Sequence, residues 1–297
     1  MCSTCGCSDG AETRLTVFSG DHKAGHSHPD DGHQHGDHHH DHSHGGHEHH
    51  HDYDEARGHS HQEMPISRTL QLEQDILAKN NHLAEHNRGW LEGREIVAFN
   101  LMSSPGAGKT SLLERTIREL GAEIPICVVE GDQETTLDAE RIGATGCCAV
   151  QINTGSGCHL DAAMIADALK RLKPPAGSVL MIENVGNLVC PALFDLGESA
   201  KVVIASVTEG EDKPLKYPHM FRAADLMLLN KIDLLPYVPF NMNRCIAYAR
   251  QVNPALKVLQ VSVLKGDGMD AWYSFLRERM SSHLLSSVGS RTSIPSA

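Results

Sequence analysis

The chain has 297 residues, 40% of them hydrophobic, and a formal net charge of −12. That length accommodates one large domain or two small ones, with enough apolar residues for a sizeable core. The acidic balance, with no basic patch, argues against nucleic acid, and no apolar run approaches membrane-spanning length. There is no charged-then-apolar secretory leader, so the expectation is a cytoplasmic protein in reducing surroundings. Nine cysteines in that setting point to metal or redox chemistry, not to a disulfide framework.

Residues 1–20 read as a metal motif followed by linker. Cys2, Cys5 and Cys7 put three thiols beside a free amine. Thiolates are soft donors that suit Zn²⁺, Cu⁺ or Ni²⁺; a square-planar completion favours Ni²⁺ and a tetrahedral one Zn²⁺. Residues 21–61 hold sixteen of the 21 histidines, with nine acidic and two basic side chains. Such a tract has too few apolar residues to bury a core, so disorder is expected. Many interchangeable imidazoles make a metal store. Residues 66–94 carry Leu70, Ile76, Leu77, Leu83 and Trp90 at helix-like intervals and form a helical lead-in. His82 and His86, four apart, read as a solvated face.

A GTPase-like domain is expected over 95–281. The apolar run 95–102 reads as a buried strand, and Leu112, Leu113, Ile117 and Leu120 mark a helix after it. Between them lies Ser103-Ser-Pro-Gly-Ala-Gly-Lys-Thr110. Strand, Gly-rich loop and helix are what a phosphate-binding loop needs. The backbone amides of Gly106, Ala107, Gly108 and Ser111 would face phosphate oxygens at a helix N-terminus. Lys109 would reach the β- and γ-phosphates and the Thr110 hydroxyl would hold Mg²⁺. Ser103 departs from the general pattern, which has Gly there.

The strand at 124–130 leads to Asp132, which either holds Mg²⁺ through water or orients the attacking water. Asp138 is the expected cap of the helix that begins near Leu137. Strand 149–152 leads to Cys158 and His159 at the start of a further helix. Strand 178–183 ends in Glu183-Asn-Val-Gly186, the place where P-loop proteins hold the metal and sense the γ-phosphate. Glu being longer than Asp, its contact to Mg²⁺ is expected through water. Cys190 follows four residues after Gly186.

Strand 201–207 precedes Thr208-Glu-Gly-Glu-Asp-Lys-Pro-Leu-Lys-Tyr-Pro218, in which Lys213 and Lys216 are read as solvated lysines. Strand 225–229 ends in Asn230-Lys231-Ile-Asp233. A carboxylate at Asp233 accepts guanine N1–H and N2–H₂; adenine offers neither and leaves buried oxygens unpaired, a penalty of roughly four to five orders of magnitude. Strand 257–261 and a closing helix with Trp272, Phe275 and Leu276 complete the domain, and 282–297 read as a frayed tail. Cys127, Cys147, Cys148 and Cys245 are taken as buried small hydrophobes.

Taken together, the N-terminal Cys-x-x-Cys-Gly-Cys, the His tract, the phosphate loop, Glu-Asn-Val-Gly-Asn, the Thr208–Pro218 run and Asn-Lys-Ile-Asp resemble the hydrogenase-maturation nickel-insertion GTPases of the HypB family. Ser103 looks like that family's own variant. The resemblance covers nearly the whole length. It implies an α/β fold, a doubly wound, mostly parallel sheet of the dimerising SIMIBI P-loop GTPase type. It implies GTP/GDP with Mg²⁺, and Ni²⁺, with Zn²⁺ possible at the same sites. It also implies a second metal site at a subunit interface, at Cys158, His159 and Cys190. The implied partners are a second copy when GTP is bound, a nickel/zinc maturation protein of the same pathway, and a hydrogenase large-subunit precursor. Rival readings are a urease-type nickel GTPase, a metal store with a degenerate GTPase domain, and a P-loop kinase or ATPase. The Cys triad and the Thr208–Pro218 run disfavour the first, intact Lys109, Thr110 and Asp233 the second, and Asp233 the third.

Overall fold

A strand that is buried along its whole length needs cover on both faces, and Val97–Ser103 (β2) is buried at all seven positions. Val97, Phe99 and Leu101 point to one side and Ala98 and Met102 to the other, the two-residue alternation of a central strand. The computed structural model describes residues 13–18, 66–133, 136–155 and 157–291, with the side chains of 66–70 and 284–291 left out. The Cys2/Cys5/Cys7 motif and the tract at 21–61 lie outside the described residues.

Eight strands form one sheet. In chain order they are Arg14–Phe18 (β1), β2, Ile126–Asp132 (β3), Cys148–Asn153 (β4), Val179–Glu183 (β5), Ala200–Ser206 (β6), Leu226–Asn230 (β7) and Lys257–Gln260 (β8). Their spatial order is β1-β4-β3-β5-β2-β6-β7-β8, parallel throughout except for β1. The chain winds outward from β2 through β3 and β4, returns to β5, then runs through β6 to β8 on the other flank. This is the expected doubly wound architecture, and its ligand crevice lies at the carboxyl ends of the strands near β2.

Helices Ile66–Glu92 (α1), Lys109–Leu120 (α2), Leu137–Gly143 (α3) and Ala162–Leu172 (α4) precede the short Lys213–Lys216 (α5) and Pro218–Ala223 (α6), then Met242–Val252 (α7) and Met269–Arg291 (α8). Leu112, Leu113, Ile117 and Leu120 of α2, Ile142 of α3 and Trp272, Phe275 and Leu276 of α8 cover one face. On the other face α1 and α4 cover the β3 side, and α6 and α7 the β7 side. Trp272 is fully buried and its Nε1–H donates to Thr116 Oγ1 at 3.0 Å, so the polar tip of the largest core side chain is satisfied. Among the described residues no helix is long and apolar enough to cross a membrane.

Several sequence expectations need correction. The linker over 8–20 contains β1, an antiparallel edge strand on β4. The tail from 282 is helical to Arg291. Asp138 does not cap α3: Thr136 is the N-cap residue, its hydroxyl donates to Glu140 Oε1 at 2.7 Å, and Asp138 pairs with Arg141 at 3.0 Å. Cys127, Cys147 and Cys245 are buried as expected, but Cys148 is exposed at the start of β4. His82 and His86 lie on the exposed face of α1.

Candidate functional site

The loop after β2 owes its shape to two glycines in the left-handed region, Gly106 at φ 74° and Gly108 at φ 102°. Gly108 is also packed: a Cβ there would stand 2.6 Å from Asn230 Nδ2. It is the N-cap of α2 and provides no capping side chain, so the first amides of the helix are left to a ligand. Lys109, nearly buried, donates from Nζ to Ser103 Oγ at 2.9 Å, which gives the unusual first loop residue a role in aiming the lysine. Thr110 Oγ1 donates to Glu183 Oε1 at 2.8 Å.

Glu130 and Glu183 are register partners on adjacent parallel strands and stand side by side under the loop. Both are buried, and each has a second carboxylate oxygen with no hydrogen-bond partner. Burial pushes Glu183 up to about 7, against the pull of the Lys109 ammonium and the Thr110 hydroxyl. Burial and the neighbouring Glu183 and Asp132 charges push Glu130 up to about 9. With Asp132, these groups line a cleft of about 420 Å³ that the phosphate loop closes from above. Sequence reasoning selected Asp132 and Glu183 but not Glu130, whose signal was its place one register step from Glu183.

A second cleft, about 730 Å³, adjoins the first through Gly108, Ser111 and Lys231. Asn230 Nδ2 donates to Ala107 O at 2.9 Å, while its Oδ1 accepts from the amides of Lys231 and Val263 at 2.7 and 3.2 Å. Lys231, held at φ 63°, donates from Nζ to Gly106 O at 2.7 Å. Asp233 accepts from Ser262 Oγ at 2.6 Å on the rim. The Asn-Lys-x-Asp residues therefore hold the phosphate loop from below and present one carboxylate beside the 262–265 loop.

A third feature is a cluster of potential metal ligands. Ligand atoms of Cys158, His159 and Cys190 all fall within 4.8 Å of one another, the one such group of three among the described residues. Cys158 Sγ lies 3.5 Å from His159 Nδ1, and the His159 ring stacks on Phe194 with centroids 3.9 Å apart. Burial holds the His159 imidazolium below its ordinary value against the opposing charge of Asp161, which favours the neutral, metal-ligating form. Two thiols and an imidazole are a donor set for a borderline or soft cation. The segment after Glu183 bridges this cluster to the nucleotide cleft. Asn184 Oδ1 accepts from Leu160 N at 3.2 Å, and Asn187 Nδ2 donates to Cys158 O at 3.4 Å. Gly186 packs so tightly on Pro105 of the phosphate loop that a Cβ would come within 3.0 Å. Phe194 was not selected from sequence, and Asn184 and Asn187 were read only as part of the Glu183–Asn187 motif with no role of their own; their contacts are ones that only the fold creates. Ser104 Oγ also bonds Glu209 Oε1, which brings the Thr208–Pro218 run to the same loop.

The family profile for the CobW/HypB/UreG nucleotide-binding domain matches residues 97–260. The hydrogenase maturation factor HypB of Azotobacter vinelandii is 58% identical over 229 residues, 77% of this chain and 75% of that protein. This chain belongs to the HypB family of hydrogenase maturation factors. Two solved HypB structures agree. That from Archaeoglobus fulgidus is 44% identical, with a TM-score of 0.65 over 69% of this chain and 100% of that one. That from Helicobacter pylori, in complex with nickel, is 36% identical, with a TM-score of 0.65 over 69% and 96%. The profile match spans the phosphate loop, Glu183, Asn230–Asp233 and the Cys158, His159 and Cys190 positions.

Proposed function

We propose that this HypB-family protein is a GTP-hydrolysing nickel metallochaperone that binds, stores and delivers nickel for assembly of the [NiFe]-hydrogenase active site. The observation that carries this reading is the Glu183–Asn187 segment. Its Glu183 and Gly186 meet Thr110 and Pro105 of the phosphate loop, and the alternate residues Asn184 and Asn187 bond Leu160 and Cys158 on either side of His159. A change at the γ-phosphate and a change at the metal cluster must both pass through it.

GTP lies with its phosphates against the amides of Gly106, Ala107, Gly108 and Ser111 and its base against Asp233. Lys109 leaves Ser103 and neutralises charge on the β- and γ-oxygens, and Asp132 positions the attacking water. The donor set fits Mg²⁺: the Thr110 hydroxyl and the Glu183 and Asp132 carboxylates are hard oxygens around one cleft, and the second Glu183 oxygen has no hydrogen-bond partner. Bound there, Mg²⁺ would offset the charge that builds on the phosphate oxygens. With the γ-phosphate present, the Glu183–Asn187 segment is drawn onto the phosphate, the dimer forms and the Cys158–His159–Cys190 site takes its high-affinity shape. Hydrolysis releases the segment and the metal. Cys2, Cys5 and Cys7 capture nickel and the histidine tract stores it, with Zn²⁺ as the competing ion. A partner nickel/zinc maturation protein and the hydrogenase large-subunit precursor complete the route.

The base assignment is tested with Asp233→Asn. The variant should lose GTP hydrolysis by at least about a thousandfold and gain hydrolysis of xanthosine triphosphate, whose C2 carbonyl matches the new amide donor. Equal loss of both activities, or undiminished use of GTP, would overturn it.

A further inference from the structure

Helix α1 lies on the sheet face next to the Cys158–His159–Cys190 cluster, and two buried asparagines, Asn80 and Asn87, project from one side of it about two helical turns apart. Each of them bonds two chain segments that are remote from each other in sequence. Asn80 Oδ1 accepts from Ala162 N at 2.9 Å and its Nδ2 donates to Asp195 O at 2.8 Å. Asn87 Nδ2 donates to both Ala162 O at 2.8 Å and Leu196 O at 3.1 Å. Ala162 follows His159 by three residues. Asp195 adjoins Phe194, the ring that stacks on His159, and closes the segment that starts at Cys190. The two sides of the cluster are therefore held to one helix, and through its amides to each other.

Two further features keep α1 close. Arg88 Nη2 donates to both carboxylate oxygens of Asp195, each at 2.7 Å. Between the asparagines, Ala84 is fully buried against Gly197, whose φ of 91° and absent Cβ let its backbone approach Ala84 O; a Cβ would stand at 2.7 Å. Apolar side chains would fill this seam as well. Amides that bridge two segments instead fix their separation, because a shift of either segment leaves a buried polar group unpaired.

We propose that Asn80 and Asn87 are positioning residues for the metal centre. With the Arg88–Asp195 pair they clamp the 158–162 and 190–197 segments at a set distance and so fix the spacing of the Cys158, His159 and Cys190 donors. The inference rests on the reading of those three residues as nickel ligands. A fixed donor spacing favours a cation with a demanding geometry, such as Ni²⁺. Zn²⁺ has no geometric preference from its d electrons and adapts to a looser site.

The test uses the full chain with Cys2, Cys5 and Cys7 changed to Ala, so that thiolate-to-nickel charge-transfer absorption reports the cluster and is silent to the histidine tract. Asn80→Ala, Asn87→Ala, Arg88→Met and Cys190→Ala are titrated with Ni²⁺ and Zn²⁺, with GDP affinity followed in parallel. Nickel affinity should fall about tenfold in each asparagine variant, the loss expected for one or two buried hydrogen bonds. The Ni²⁺/Zn²⁺ affinity ratio should fall with it and GDP affinity should hold. Arg88→Met, on a partly exposed pair, should show a smaller loss in the same direction and keeps the test open if an asparagine variant fails to fold. Unchanged nickel affinity in these three variants, with absorption lost in Cys190→Ala, would overturn the clamp. So would equal losses for Ni²⁺, Zn²⁺ and GDP, which mark a purely structural role. Absorption undiminished in Cys190→Ala would remove the ligand assignment itself, and the clamp with it.

Discussion

Glu130 and Glu183 show how one register decision on a parallel sheet sets the chemistry of a cleft. Neighbouring strands place the two carboxylates side by side, and burial makes it unfavourable for both to ionise. Both values are raised above the ordinary carboxylate range, so in folded protein each group holds its proton where the unfolded chain has lost it. Stability is then greatest below the unfolded value near 4.5 and falls as pH rises through the folded values of about 7 and about 9. With chelator present and no nucleotide, melting temperature should therefore decline from pH 5 to pH 9. Glu130→Gln should flatten the part of that decline above about pH 8, where Glu183, at about 7, is mostly ionised and Glu130, at about 9, supplies most of the remaining slope. A profile for Glu130→Gln that runs parallel to the native one across this range would contradict the assignment.

Among the elements, β1 has the least sequence signal and a clear structural consequence. Val17 is half exposed, while Leu15 and Phe18 pack on opposite faces of the sheet edge, and Arg14–Phe18 pairs with Ala149–Asn153 of β4. Removal of residues 1–18 should uncover the β4 edge, lower the melting temperature by roughly 5 °C and promote self-association, whereas removal of 1–12 should do neither. Equal melting temperatures for the two truncations would show that β1 adds nothing to the fold. Five residues with three apolar side chains look like linker until an open strand edge is present, because strand propensity is decided by neighbours. The phosphate loop and Asn230–Asp233 were legible for the opposite reason: a tight loop needs glycine at fixed positions, and base recognition needs a carboxylate after a strand. Lys109, Thr110, Glu183 and Asp233 were found in this way, and the structure brings them to adjoining clefts. Cys158, His159 and Cys190 were suggested by resemblance alone, since thirty-one residues separate the second from the third; the fold closes that gap to 4.8 Å. Asn80, Asn87 and Phe194 carried no signal of their own. An asparagine in a helix reads as surface until the segments it bridges are known.

For the whole molecule the account comes down to coupling between the nucleotide cleft and the Cys158–His159–Cys190 cluster through Glu183–Asn187. Thr110, Pro105, Leu160 and Cys158 all touch that segment, so its position is common to nucleotide and metal. Coupling of this kind is reciprocal: if the γ-phosphate tightens nickel binding, nickel must tighten binding of the triphosphate by the same factor. The most direct measurement is equilibrium nickel affinity at the Cys158–His159–Cys190 site, in full-length protein with Cys2, Cys5 and Cys7 changed to Ala, with GDP and with a non-hydrolysable GTP analogue. The account predicts affinities that differ by at least about fivefold, the lower end of ordinary allosteric coupling, with the analogue-bound protein the tighter. Identical affinities in the two states would contradict it.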